Sequence, residues 1–190
     1  MTDSKKMKGK AWVFGDILDV DFDICPIEAT KTEMKGGGRP QTEKDWGKFC
    51  MTNLDPDFPN KVKEGDFIVA GQNFGYGHDH ESAPLSIKGC GVAAVICEST
   101  NRNFLRNSVH IGVPVIELPG IKHKVSEGDE LAVDLRAGTV KNLTTGETLF
   151  FAPYPDFLME IIEAGGLYPL LRELLPKGEV PLYAKVPPEC

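Results

Sequence analysis

The chain has 190 residues, 41% of them hydrophobic and 26% charged, with a formal net charge of −7. That length supports one ordinary domain with a buried core. The negative balance argues against general binding to nucleic acid, whose phosphates it would repel, and no apolar run is long enough to span a bilayer.

The N-terminus, MTDSKKMKGK, is positively charged but no apolar stretch follows it, so it is not a secretory signal and reads as a frayed terminus. KAWVFGD (10–16) reads as a strand ending at a turn. Residues 17–41 are rich in Asp, Pro and Gly and carry Gly36-Gly37-Gly38, which predicts a long loop with a mobile tip. Thr42 is placed to start a helix with Trp46, Phe49 and Cys50 on one face, and 56–62 reads as a connector.

Next come a short buried strand in DFIVAGQNFG (66–75), a helix in HESAPLSIKGCG (80–91) and a strand in VAAVICES (92–99). A helix in NRNFLRNSVHIG (101–112) and a strand in VPVIEL (113–118) follow. Strand–helix–strand–helix–strand predicts a parallel βαβαβ core with right-handed crossovers, and runs such as VAAVI fit a sheet covered on both faces. Residues 124–151 show period-2 stretches split by turn glycines, predicting an antiparallel segment. Residues 156–175 read as a helix interrupted near Gly165-Gly166, and 176–190 as a proline-rich tail. The predicted class is α/β, with one domain over 1–175.

The chemistry concentrates in GQNFGYGHDHESAP (71–84). In open α/β sheets, ligands collect beyond the carboxyl ends of the strands, where this loop falls. Gly75 and Gly77 would let a ligand approach the backbone, and the helix that follows would aim free N–H groups at an anion. His78, Asp79 and His80 then bring groups suited to acid–base work. If the backbone is extended, the two histidines point in opposite directions, and Asp79 can cap the helix. Arg102 and Arg106 lie four apart on the next helix, and either suits a substrate carboxylate. His110 and His123 stand alone. The five cysteines are widely spaced with no C-x-x-C pair, which disfavours a zinc ribbon or a self-contained iron–sulfur cluster and suits reduced cytosolic thiols.

Taken together, GDILDVDFDICP (15–26), the 71–84 loop, FLRNSVHIGVPVIE (104–117) and the segments 128–149 and 155–167 resemble the small subunit of the 3-isopropylmalate dehydratase family. That family is similar to the swivelling fourth domain of aconitase. The resemblance implies a swivelling β/β/α domain and a cytoplasmic hydro-lyase. It also implies a large-subunit partner that carries a 4Fe-4S cluster on its own cysteines, so that this chain binds no cofactor or metal. The substrate would be a hydroxy di- or tricarboxylic acid. Without its partner, the exposed contact face would favour homo-oligomers.

One departure is plain. The family loop reads Gly-x-Asn-Phe-Gly-x-Gly-Ser-Ser-Arg-Glu-His-Ala-Pro, and here His78, Asp79 and His80 stand where Ser-Ser-Arg would be. The resemblance then implies His78 or Asp79 as the base, with Gly75, Gly77, His80 and Arg106 as substrate contacts. The substitution predicts an atypical hydroxy acid. The alternatives are a conventional 3-isopropylmalate dehydratase small subunit of leucine biosynthesis and a non-catalytic anion-binding or regulatory subunit. A phosphohistidine carrier would also suit a histidine beside glycines, but the match over 104–167 is to the dehydratase family. In the 17–41 loop, Lys31, Lys35 and Arg39 are further candidates for a carboxylate.

Overall fold

The computed structural model describes residues 6–27, 31, 40 and 42–177. Its strands are β1 (Lys6–Val13), β2 (Phe67–Ala70), β3 (Ala94–Cys97), β4 (Val115–Glu117), β5 (Glu130–Asp134), β6 (Thr139–Asn142) and β7 (Thr148–Phe150). Its helices are α1 (Glu43–Gly47), α2 (Phe58–Lys61), α3 (Ser82–Gly89), α4 (Arg102–Ile111), α5 (Asp156–Glu163) and α6 (Leu167–Leu174).

The strands form one sheet in the order β4-β3-β2-β1-β5-β6-β7. From β1 to β4 the pairing is parallel. From β1 through β5 and β6 to β7 it is antiparallel. This is the α/β arrangement expected from the sequence, with the parallel βαβαβ core and the antiparallel segment joined in one mixed sheet. Period-2 alternation sends Ile68 and Ala70 of β2 to one face with Val95, Cys97 and Val115. Phe67 and Val69 go to the other face with Ala94, Ile96 and Ile116. Both faces are covered, as continuous apolar strands require.

The N-terminus corrects an expectation. Residues 6–10 are not frayed: Lys6 to Lys10 pair with β5 from Asp134 to Glu130, and Ala11 to Val13 pair with β2. Only Met7 and Ala11 of this half-polar run are buried, so its strand character comes from its neighbours rather than from its own hydrophobicity. The 17–41 loop is also corrected in its first part. Val20–Ile24 form a π-turn whose Val20 and Ile24 are buried, so this stretch is packed structure. The triple glycine, Lys35 and Arg39 lie outside the described residues, as do 178–190 of the tail. The 56–62 connector contains α2, whose Phe58 is fully buried and meets Trp12 and Phe14 edge-on.

Thr42 caps α1 in a reciprocal box with Asp45, and Gly112 closes α4 with a left-handed φ of 91°. The 156–175 helix breaks at Gly165-Gly166 into α5 and α6. On the outer side of β4, the Tyr154 hydroxyl accepts the Val115 N–H (2.9 Å) and donates to the Val115 carbonyl (2.6 Å), standing in for the next strand. Among the described residues no helix is long and apolar enough to cross a membrane.

Candidate functional site

Three segments meet beyond the carboxyl ends of the parallel strands: 15–26 after β1, 71–81 after β2 and 98–101 after β3. Backbone hydrogen bonds lace them together. Gly75 and Tyr76 donate to the Leu18 carbonyl, and Val20 donates to Tyr76. Phe74 donates to the Ser99 carbonyl and accepts from the N–H of Asn101. At the base, Asp16 accepts from the Gln72 N–H and from Lys122 Nζ, both at 2.9 Å. The Lys122 ammonium, followed by the Gln72 amide, holds the Asp16 carboxyl below its ordinary range.

The acidic segment has its own local logic. Asp19 caps the π-turn, accepting from Asp21 N–H (2.7 Å) and Phe22 N–H (3.0 Å), while its own N–H donates to Asp23 (2.7 Å). Ile24 N–H reaches the Asp19 carbonyl and Cys25 N–H the Val20 carbonyl, the five-residue spacing of a π-turn. Such turns are frequent at functional sites. This one buries Val20 and Ile24 as its apolar anchor and turns Asp21 inward, with its side chain 9% exposed.

Asp21 receives both histidines. His78 Nδ1 lies 2.9 Å from Asp21 Oδ2, and His80 Nδ1 lies 2.8 Å from Asp21 Oδ1. The two rings stack with centroids 5.4 Å apart and planes 12° from parallel. They stand outward from the carboxylate, with side chains 77% exposed for His78 and 48% for His80. The expected opposite orientation is therefore overturned. Residues 78–80 are not extended strand, and a common acceptor beneath them draws both rings to one side.

The other expected residues fall around this cluster. Gly75 and Gly77 have left-handed φ values of 75° and 98°. A Cβ on Gly75 would sit 2.3 Å from Phe104 Cγ, and one on Gly77 would sit 2.6 Å from Asp19 Oδ2. In the chain as it stands, their bareness is used by protein neighbours. Asp79 is exposed, and its carbonyl accepts from Asn107 Nδ2 of α4 at 2.8 Å. It does not cap α3: the cap position is Glu81, with no side-chain bond to the helix. Pro84 contributes no N–H to that first turn, and the acidic Glu81 stands at its mouth, so α3 is a poorer anion seat than the sequence suggests. Arg106 bonds Asn103 on its own helix rather than the histidine pair.

Sequence reasoning missed Asp21 and Asn107. Asp21 sits in GDILDVDFDICP, a segment singled out as a whole, but nothing local distinguishes it from Asp16, Asp19 or Asp23. Glu98, just past β3, also went unremarked; it has one buried carboxylate oxygen with no hydrogen-bond partner among the described residues.

Among the described residues no group of three or more His, Cys, Asp or Glu is arranged to hold a metal ion. The buried thiols among the described residues do not suit an iron–sulfur cluster either. Cys25, Cys50 and Cys97 are buried. Burial pushes Cys25 and Cys97 up to about 12 and raises Cys50 well above its ordinary value, which disfavours the thiolates a cluster needs.

Comparison with known proteins agrees with this architecture. The Aconitase C-terminal domain family profile matches residues 21–120. The isopropylmalate/citramalate isomerase small subunit of Methanocaldococcus jannaschii is 47% identical over 176 residues, which is 91% of this chain and 98% of that protein. The 3-isopropylmalate dehydratase small subunit 1 of Methanopyrus kandleri is 43% identical over 172 residues, 90% of this chain and 96% of that one. A crystal structure of 3-isopropylmalate dehydratase from M. jannaschii aligns with a TM-score of 0.76 at 34% identity, covering 88% of this chain and 94% of that chain.

Proposed function

The chain belongs to the 3-isopropylmalate dehydratase small-subunit family, and on that premise we propose that it is the small subunit of a hydro-lyase that moves water on an isopropylmalate-type hydroxy acid. Its partner is a large subunit that carries the iron–sulfur cluster. This replaces the atypical substrate expected from His-Asp-His alone: the near full-length likeness to relatives named for the conventional reaction supports the conventional reading. The observation that carries the proposal is the His78–Asp21–His80 cluster on the rim where the parallel strands end.

This chain's share of the chemistry follows from that rim. Substrate carboxylates are anions, and His80, standing where the family loop has Arg, supplies a donor to hold one. His78, standing where the loop has the base Ser, takes the proton from the carbon beside the leaving hydroxyl. Imidazole suits that task near neutral pH. Activation of the hydroxyl belongs to the partner's cluster. The small subunit is a soluble cytoplasmic component of leucine biosynthesis in this reading, and its domain ends near residue 175.

The test is anaerobic co-expression with the cognate large subunit. The ultraviolet absorbance of the new double bond is then followed over a panel of hydroxy di- and tricarboxylic acids. Turnover of isopropylmalate is the expected result. Turnover only of other acids would return the atypical reading, and a cluster-loaded complex that turns over nothing would leave a binding or regulatory subunit.

A further inference from the structure

On the hydro-lyase reading above, we propose that Asp21 is a positioning residue that fixes the tautomer of both imidazoles and so lets His78 and His80 do opposite tasks on one substrate. A carboxylate only accepts hydrogen bonds. Both Nδ1 atoms lie within 2.9 Å of Asp21, so each ring donates its Nδ1–H to it. The proton of each neutral ring is thereby held on Nδ1, and Nε2 is left as the working atom. Nε2 lies across each ring from Nδ1, so with both Nδ1 atoms on Asp21 the two Nε2 atoms face away from it.

Nε2 is the atom each ring offers to a substrate: when protonated it donates to a carboxylate oxygen, and when unprotonated it accepts a proton from the neighbouring carbon.

Charge divides the work. With both rings neutral, the cluster carries the single negative charge of Asp21. One added proton makes it neutral, and a second would set two like charges 5.4 Å apart. With one proton held, His80 presents Nε2–H to the substrate carboxylate while His78 keeps a free Nε2 to accept the carbon-bound proton. The proton that His78 takes up is returned in the reverse step, so the cluster is unchanged over a full cycle. Among the described residues, charged groups on the elements that build this rim include Asp19 and Asp23 on the π-turn, Asp79 and Glu81 in the loop, and Arg102 and Arg106 on α4. Cys25, which lies against Asp21, stays a neutral thiol because burial pushes it up to about 12.

Two measurements test this. In the full chain carrying 15N-histidine, the imidazole nitrogen shifts above the titration range report the tautomer directly. Both His78 and His80 are expected as Nδ1–H. Asp21→Asn offers one acceptor and one donor, so one ring should switch to Nε2–H. In the assembled complex, kcat/KM should be bell-shaped in pH, and Asp21→Asn should lower it about 10–100-fold. His80→Gln keeps a donor that does not titrate, so it should raise KM and abolish the alkaline limb while leaving the acid limb in place. Wild-type rings in the Nε2–H form, or an Asp21→Asn complex with normal kinetics and an unchanged pH profile, would overturn the role of Asp21. Tautomers as expected in a complex that turns over no hydroxy acid would instead sink the hydro-lyase reading, and the division of labour with it.

Discussion

The two halves of the sheet share β1 but are used differently. In the parallel half, β1, β2 and β3 all end on one rim, so the segments that follow them are forced together and can build a site from residues far apart in sequence. Asp21 and His80 are 59 positions apart in sequence, and their side chains meet at 2.8 Å. In the antiparallel half, successive strands end on opposite rims. Each turn there is left to satisfy its own backbone: Asn142 accepts from the N–H groups of Thr144 and Thr145, and Asp134 from those of Arg136 and Ala137. That half contributes burial, through Leu131, Val133 and Val140. Shared strand direction is what gathers chemistry, and alternating direction disperses it. Damage to the rim should therefore show in kinetics, and damage to the antiparallel half should show in stability.

The sharpest break between the two halves is His78→Ala. Its imidazole is largely exposed, so removing it costs little burial. Removing a general base costs on the order of 10²–10⁴-fold in rate. Turnover of the assembled complex should fall by that factor, with the melting temperature of the small subunit within a couple of degrees of the parent and subunit pairing intact. A variant with normal kinetics would remove His78 from the chemistry, and one that unfolds would erase the distinction between the halves.

Gly75→Ala probes the rim's own architecture. The new Cβ would lie 2.3 Å from Phe104 Cγ in a backbone with φ of 75°. Left-handed strain and overpacking together should cost about 2–4 kcal/mol, read by denaturant unfolding. Activity should fall with it, because the same loop carries His78. Wild-type stability would mean that Phe104 yields, and that the glycine was reserved for substrate after all.

Much of the fold was legible, because its signals are local. The continuous apolar run VAAVI, the stop at Gly112 and the break at Gly165-Gly166 each act within a few residues, and each falls where the structure has it. The first half of β1 was not legible, because KMKGK pairs through neighbours more than 100 positions away. The candidate site divides in the same way. His78, His80 and the glycines stand out in their own loop, whereas Asp21 gains its meaning only from two rings that the topology brings to it. The histidines' orientation failed for that reason as well. Strand periodicity says where a side chain points when the backbone is regular, and here a long-range acceptor overrides it.

The smallest expected effect lies in the antiparallel half, and it sharpens the comparison through pH. Asn142 is 1% exposed. Its Nδ2 donates to Asp129 Oδ2 at 2.8 Å, while its Oδ1 holds the β6–β7 turn. Asn142→Ala should cost about 1–3 kcal/mol, because it leaves the Thr144 and Thr145 N–H groups without their acceptor and takes one of its donors from the Asp129 carboxylate. kcat and KM should not move. The Asp129 carboxyl is held below its ordinary range first by the Ser126 N–H and then by the Asn142 amide. A carboxyl depressed in the folded state adds stability that is present above its unfolded value of about 3.9 and is lost as pH falls through the folded value. Asn142→Ala removes part of that depression. The gap in unfolding free energy between the parent and Asn142→Ala should therefore be widest at neutral pH and narrow as the pH drops below about 4. A gap that stays constant through that range would assign the whole cost to the turn and none to the carboxylate. A change in kcat at any pH would show that the two halves are coupled after all.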